Sequence, residues 1–126
     1  ALVVDVTFST DVPDIDKKEV GEHSLGGGPV LSRGSAAHNN VFEMLAEVAD
    51  LEGIPHTIQA SPRATRTDAD GIHLTRSGVP TGLISVPNRY MHSPNEVVNL
   101  DDLFHTAQLI AAFIRRLNPD VDFTPR

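Results

Sequence analysis

Thr81-Gly82-Leu83-Ile84-Ser85-Val86-Pro87-Asn88-Arg89-Tyr90-Met91-His92-Ser93-Pro94-Asn95-Glu96 is the stretch on which the reading of this chain turns. Thr81 to Val86 is an apolar run of strand length. Pro87 is expected to stop it, because proline lacks the amide proton that a central ladder requires. His92 then falls in a loop just past a strand end. Pro94 disfavours helix at Ser93, so His92 and Glu96 are not expected to lie one turn apart on a helix. In open α/β sheets ligands bind beyond the carboxyl ends of strands, which suits a functional imidazole at this point. An isolated loop histidine more often only hydrogen-bonds its neighbours, so position alone does not decide its role.

Working outward, residues 1–8 are β-branched and apolar around one carboxylate, Asp5, the composition of a strand buried on both faces. A carboxylate inside such a run has to be paired, hydrogen-bonded or metal-bound. The chain opens inside this strand without a methionine or a polar lead-in, as a piece of something longer would. Residues 9–28 read as a long polar loop. Its acids Asp11, Asp14, Asp16, Glu19 and Glu22 show no ligand spacing and are expected to form a solvated face. Gly26-Gly27-Gly28 lacks the Lys-Ser/Thr ending of a phosphate loop and reads as a turn.

Pro29 to Arg33 is the next strand. An amphipathic helix then runs from Asn39 to Glu52, with Val41, Leu45 and Val48 on its stripe, Asn39 or Asn40 as cap and Gly53 as stop. A third strand covers His56 to Ser61. A short helix through Arg76 follows the N-cap oxygens of Thr65 to Asp70, with Asp68 read as a cap sooner than as an acid catalyst. Leu103, Ala107, Ile110, Ile114 and Leu117 repeat at helical spacing in a last helix that lies on the sheet, and Val121 to Arg126 reads as a frayed tail. Strands alternating with helices predict an α/β fold, a mainly parallel sheet flanked by helices.

With 126 residues and 40% hydrophobic content, one domain is expected. A net charge of -7 and a pI near 5.2 argue against a nucleic-acid partner. The absence of cysteine removes disulfides and thiolate metal sites, leaving oxygen and imidazole donors. No apolar run approaches the roughly 18 residues that span a bilayer, so no membrane partner is expected and cytoplasmic is the default location.

Several segments, in order and at compatible spacing, resemble the C-terminal part of the tetrahedral (TET) aminopeptidases, the glutamyl and deblocking enzymes, some of whose members bear the name endoglucanase. They are Val4-Asp5-Val6-Thr7-Phe8-Ser9-Thr10-Asp11, Leu25 to Gly34, Gly53-Ile54-Pro55, Thr67-Asp68-Ala69 and Ile84 to Glu96. The resemblance implies the C-terminal part of the catalytic α/β/α sandwich of a zinc peptidase over residues 1–126. The other half of that domain and an inserted oligomerisation domain would lie upstream. It implies two divalent metal ions, zinc or cobalt, with Asp5 binding one and His92 the other. Glu96 becomes a candidate for orienting His92 or its loop, and Thr67 and Asp68 fall on the substrate side. No catalytic residue is implied in this chain, since the general-base glutamate belongs to the upstream segment.

The implied function is a metal-dependent aminopeptidase that releases N-terminal residues from short peptides through a dinuclear metal-activated water. The implied assembly is a homo-oligomer, a dodecamer, and this chain alone is expected to be inactive. Arg66 stands where many relatives have glycine, and His38-Asn39-Asn40 replaces a more usual Asn-Pro turn. Two other readings stay open. One is a non-catalytic module that completes a sheet or oligomer with another chain. The other, glycoside hydrolysis, would need a positioned pair of carboxylates that the sequence does not offer.

Overall fold

The computed structural model describes residues 1–124. Its elements run β1 (Leu2–Phe8), α1 (Lys17–Val20), β2 (Val30–Gly34), α2 (Asn39–Leu51), β3 (Thr57–Ser61), α3 (Ala69–Ile72), β4 (Gly82–Arg89), β5 (Val97–Val98) and α4 (Leu100–Arg116). The sheet order is β1-β4-β2-β3, with β5 added to β4. β1 runs parallel to β4 and β2 parallel to β3, whereas β2 and β5 are antiparallel to β4. The fold class is the α/β one expected, with a mixed sheet.

Pro87 lies inside β4. It pairs in register with Thr7 of β1, while β2 leaves β4 at Ser85, so the missing amide proton falls where no β2 residue pairs. The strand therefore continues to Arg89 and turns back through residues 90–96 into β5, which makes the His92 loop a hairpin connection.

The expectation of a first strand buried on both faces fails. β1 has one neighbour and alternates: Val3 and Thr7 are buried, whereas Val4, Val6 and Phe8 are 50%, 37% and 49% exposed. On the face of Leu31 and Ile84, α2 and α4 supply Val41, Phe42, Leu45, Val48, Leu109 and Phe113 to the main core. Each such side chain, fully withdrawn from water, stabilises the fold by about 1.5–3 kcal/mol. The opposite face carries a smaller cluster of Val3, Leu83, Ala36 and Ala69, with α3 over it.

The phase of α4 differs from the sequence reading. Its buried positions are Asp102, Thr106, Leu109, Ala112 and Phe113, whereas Leu103 and Ile114 of the apolar repeat are 43% and 57% exposed. Asp102 explains this: its two oxygens accept the backbone N–H groups of Gly26 and Gly28, each at 2.8 Å, and its carbonyl accepts the Thr106 hydroxyl at 2.7 Å. The hydrogen bonds offset the cost of burying these polar residues, so they can occupy the inward stripe.

The helix predicted to run through Arg76 shrinks to Ala69–Ile72, with left-handed Arg66 (φ 60°) in the turn before it, and left-handed Arg76 (φ 56°) is incompatible with a helix continuing to the predicted end. α2 is capped by neither asparagine. His38 holds the N-cap position and makes no side-chain cap bond. Of the expected frayed tail, Phe123 packs against the main core, while Pro125 and Arg126 lie outside the described residues.

Candidate functional site

Asp5 sits in the middle of β1, opposite Ser85 of β4. It is half-buried, and one carboxylate oxygen accepts the N–H of Val6 at 2.8 Å. Strand alternation puts its side chain on the face of Val3 and Thr7, the face that α3 covers further along.

His92 is exposed, and its ring meets the Phe8 ring edge-on with centroids 6.2 Å apart. Phe8 leaves β1 on the face opposite Asp5, three residues on, which is about 10 Å along the strand. The structure therefore brings both residues to the β1–β4 pair but not into contact with each other.

The hairpin loop is strained. Tyr90 (φ 58°) and His92 (φ 67°) are both left-handed and neither is glycine. Such conformations cost on the order of 1–3 kcal/mol each and persist only where the surroundings enforce them. Glu96 supplies one constraint, its Oε1 accepting the backbone N–H of His92 at 2.7 Å. Glu96 thus orients the loop through the backbone.

The other constraint escaped the sequence reading. Arg89, at the end of β4, donates through Nε and a terminal NH2 to the two oxygens of Asp11, at 2.9 and 2.6 Å. The Ser9 hydroxyl and, at 3.2 Å, the Leu25 N–H also donate to Asp11. The Arg89 guanidinium forked onto it holds the Asp11 carboxyl far below the usual carboxylate range, against the opposing effect of burial.

Asp11 is therefore no solvated loop acid. Asp14, Asp16, Glu19 and Glu22 are exposed as expected of a solvated face, Asp16 capping α1 and Glu22 pairing with Lys17 at 2.8 Å on the surface. No local signal in the sequence links Asp11 to Arg89, since 78 residues separate them.

His23 was also missed. It is 1% exposed, with Nδ1 2.8 Å from the Thr57 hydroxyl and Nε2 2.8 Å from the Val20 carbonyl. The carbonyl can only accept, so Nε2 carries the proton and Nδ1 accepts from Thr57. This histidine ties the long loop to β3.

Asp68 occupies the N-cap position of α3 but makes no side-chain cap bond, contrary to the sequence reading. The Thr67 hydroxyl accepts the Ala69 N–H at 3.2 Å instead, and Asp70 closes the preceding turn through the N–H groups of Thr65 and Arg66, both at 2.8 Å. The Asp68 carboxylate is exposed. Thr67 and Asp68 lead into α3, over the sheet face from which Asp5 projects.

The donor chemistry of Asp5 and His92 suits zinc or cobalt, as one carboxylate and one imidazole. Among the described residues, no group of three His, Cys, Asp or Glu stands ready to hold a metal ion. The donors fit in kind, and two do not complete a centre. A cleft of about 810 Å³ lies elsewhere, at the N-terminus of α2 between His38, His73 and Phe123, and touches neither donor.

A mixed sheet with helices on both faces, and a strained hairpin at a strand end, define an α/β domain. The chain belongs to the M42 glutamyl aminopeptidase family, whose profile matches residues 1–109. It is 39% identical over 124 residues to a lysyl aminopeptidase of Pyrococcus furiosus, an alignment covering 98% of this chain and 35% of that protein. The TET aminopeptidase from Thaumarchaeota archaeon SCGC AB-539-E09 superposes with a TM-score of 0.86 at 30% identity, over 94% of this chain and 33% of that one. The Pyrococcus horikoshii TET1 peptidase, described as assembling into a tetrahedron or a large octahedral shell, gives a TM-score of 0.66 at 25% identity. That match covers 92% of this chain and 33% of that one. The chain thus spans about a third of the length of these relatives.

Proposed function

We propose that this chain is the part of a metal-dependent aminopeptidase that contributes Asp5 and His92 to a dinuclear centre acting on the N-terminus of short peptides. What supports the reading is membership of the M42 family, together with Asp5 lying in β1 and the His92 ring, in the hairpin loop after β4, resting against Phe8 at the end of the same strand.

When bound, two divalent cations supply Lewis acidity toward a peptide carbonyl and a water. In this chain Asp5 holds its carboxylate on the strand by the Val6 N–H, and Glu96 fixes the backbone of His92. The free Asp68 carboxylate, on the Asp5 side of the sheet, suits the ammonium group of a peptide N-terminus, and Thr67 fixes the turn that presents it. A shared centre requires the His92 ring to swing from Phe8 toward the strand end. Assembly into a homo-oligomer such as a dodecamer, and a cytoplasmic location, belong to the same proposal. Among the described residues no helix is long and apolar enough to cross a membrane.

The test is titration of the chain with cobalt(II) followed by NMR, with a peptidase assay beside it. The resonances of Asp5 and His92 are expected to move together and weakly, with no turnover. Perturbation elsewhere, or of one without the other, overturns the assignment.

A second reading, a module that completes a sheet with another chain, is favoured by β1. It is an edge strand in this chain and exposes Val4, Val6 and Phe8.

A further inference from the structure

We propose that the Asp11–Arg89 ion pair is the positioning device for His92, pinning the base of its loop to the segment that leaves β1. Its bearing on metal binding rests on the assignment of Asp5 and His92 made above.

Arg89 is the last residue of β4, one before left-handed Tyr90 and three before left-handed His92. Its guanidinium is committed in a two-bond fork, a geometry that fixes orientation as well as distance. Asp11 is committed in turn. Its carboxylate takes the Ser9 hydroxyl and the Leu25 N–H besides Arg89, so it cannot follow Arg89 outward. Ser9 is 1% exposed, and its N–H continues the ladder to the Asn88 carbonyl at 3.0 Å. The pair therefore joins the end of β1, the strand that carries Asp5, to the end of β4, from which the His92 loop departs. At the other end of the loop, Glu96 holds the His92 N–H. Between these two clamps the chain keeps a conformation that non-glycine residues rarely adopt.

The pair acts on His92 through the backbone and touches no substrate, which makes Asp11 and Arg89 positioning residues. A lysine at 89 would keep the charge and lose the fork.

The experiment is residue-resolved amide hydrogen exchange on the 126-residue chain and its Asp11→Asn, Arg89→Lys and Glu22→Gln variants, each repeated with cobalt(II) as probe. In Asp11→Asn the His92 amide is expected to exchange about tenfold faster, while Ile84 and Val86 in the centre of β4 keep their rates. Arg89→Lys should move in the same direction by less. Glu22→Gln, which cuts the surface pair with Lys17, should leave His92 unchanged.

With cobalt(II), the His92 response should weaken in Asp11→Asn while the Asp5 response persists. An unchanged His92 amide, or an equal rise along all of β4, would overturn the proposal. If cobalt(II) reaches neither Asp5 nor His92 in the parent chain while the exchange results hold, the metal assignment fails and the positioning role stands.

Discussion

Asp102, buried at the start of α4, grips Gly28 across 74 residues of sequence, accepting its N–H at 2.8 Å while the other oxygen takes Gly26. The contact needs glycine. Gly28 has φ 85°, and a Cβ there would lie 1.8 Å from the Pro55 carbonyl oxygen. The grip fixes the entry to β2 against α4, the helix that packs on β4 beside α2.

Asp102→Ala removes both charge-assisted bonds and leaves the buried Gly28 N–H and the part-buried Gly26 N–H without this acceptor. A loss of about 3 kcal/mol is expected, read as a lower urea midpoint at unchanged slope. Asp102→Asn, which keeps one acceptor oxygen, should lose less. Equal stability of Asp102→Ala and the parent chain would show that water satisfies both amides.

Arg66 holds φ 60° in the turn that Asp70 closes. Glycine adopts that conformation without the clash of a Cβ, a difference of about 1–2 kcal/mol offset in part by its greater freedom when unfolded. Arg66→Gly should therefore raise stability by up to about 1 kcal/mol, seen as a higher Tm. A lower Tm would mean that the Arg66 side chain contributes more than its backbone strain costs.

The Asp11 carboxyl is depressed in the folded state by Arg89. Its stabilisation is therefore present above the unfolded value of about 4 and is lost progressively as pH falls below it. Arg89→Met removes the main cause, so unfolding measured from pH 5 to 2 should show a shallower loss of stability than in the parent chain. Some slope should remain, because Asp70 is held low by the Thr65 N–H, Glu22 by Lys17 and Glu52 by Arg116. Parallel curves for the two proteins would remove the pair from the account of acid stability.

The sequence made legible what depends on local pattern. Val41, Leu45 and Val48 mark the buried stripe of α2 because every inward position there is apolar. The same logic placed α4 but misjudged its rotation, since Asp102 and Thr106 are buried polar residues whose partners lie elsewhere in the chain. Pro87 misled for a related reason. A proline ends a strand only if its amide is needed, and the departure of β2 at Ser85 is a tertiary fact. At the candidate site, the loop that carries His92 was legible from its place after an apolar run. Asp11 and Arg89 were not paired, because a long-range ion pair leaves no periodicity to read.

The edge position of β1 carries the last prediction. Val4, Val6 and Phe8 project from one face of a strand whose outer backbone groups pair with nothing on the far side within the described sheet. An unpaired edge with apolar side chains beside it recruits another strand unless charge or proline blocks the approach, and residues 2–8 contain one charge, Asp5, and no proline. The purified chain should self-associate through β1, with an apparent mass on size-exclusion chromatography that rises with concentration. Val6→Lys places a charge on the exposed face without disturbing Val3 or Thr7 beneath the sheet, and should return the chain to a monomer while leaving its circular dichroism unchanged. A parent chain that stays monomeric at high concentration would count against the sheet-completing role and leave the aminopeptidase reading as it stands.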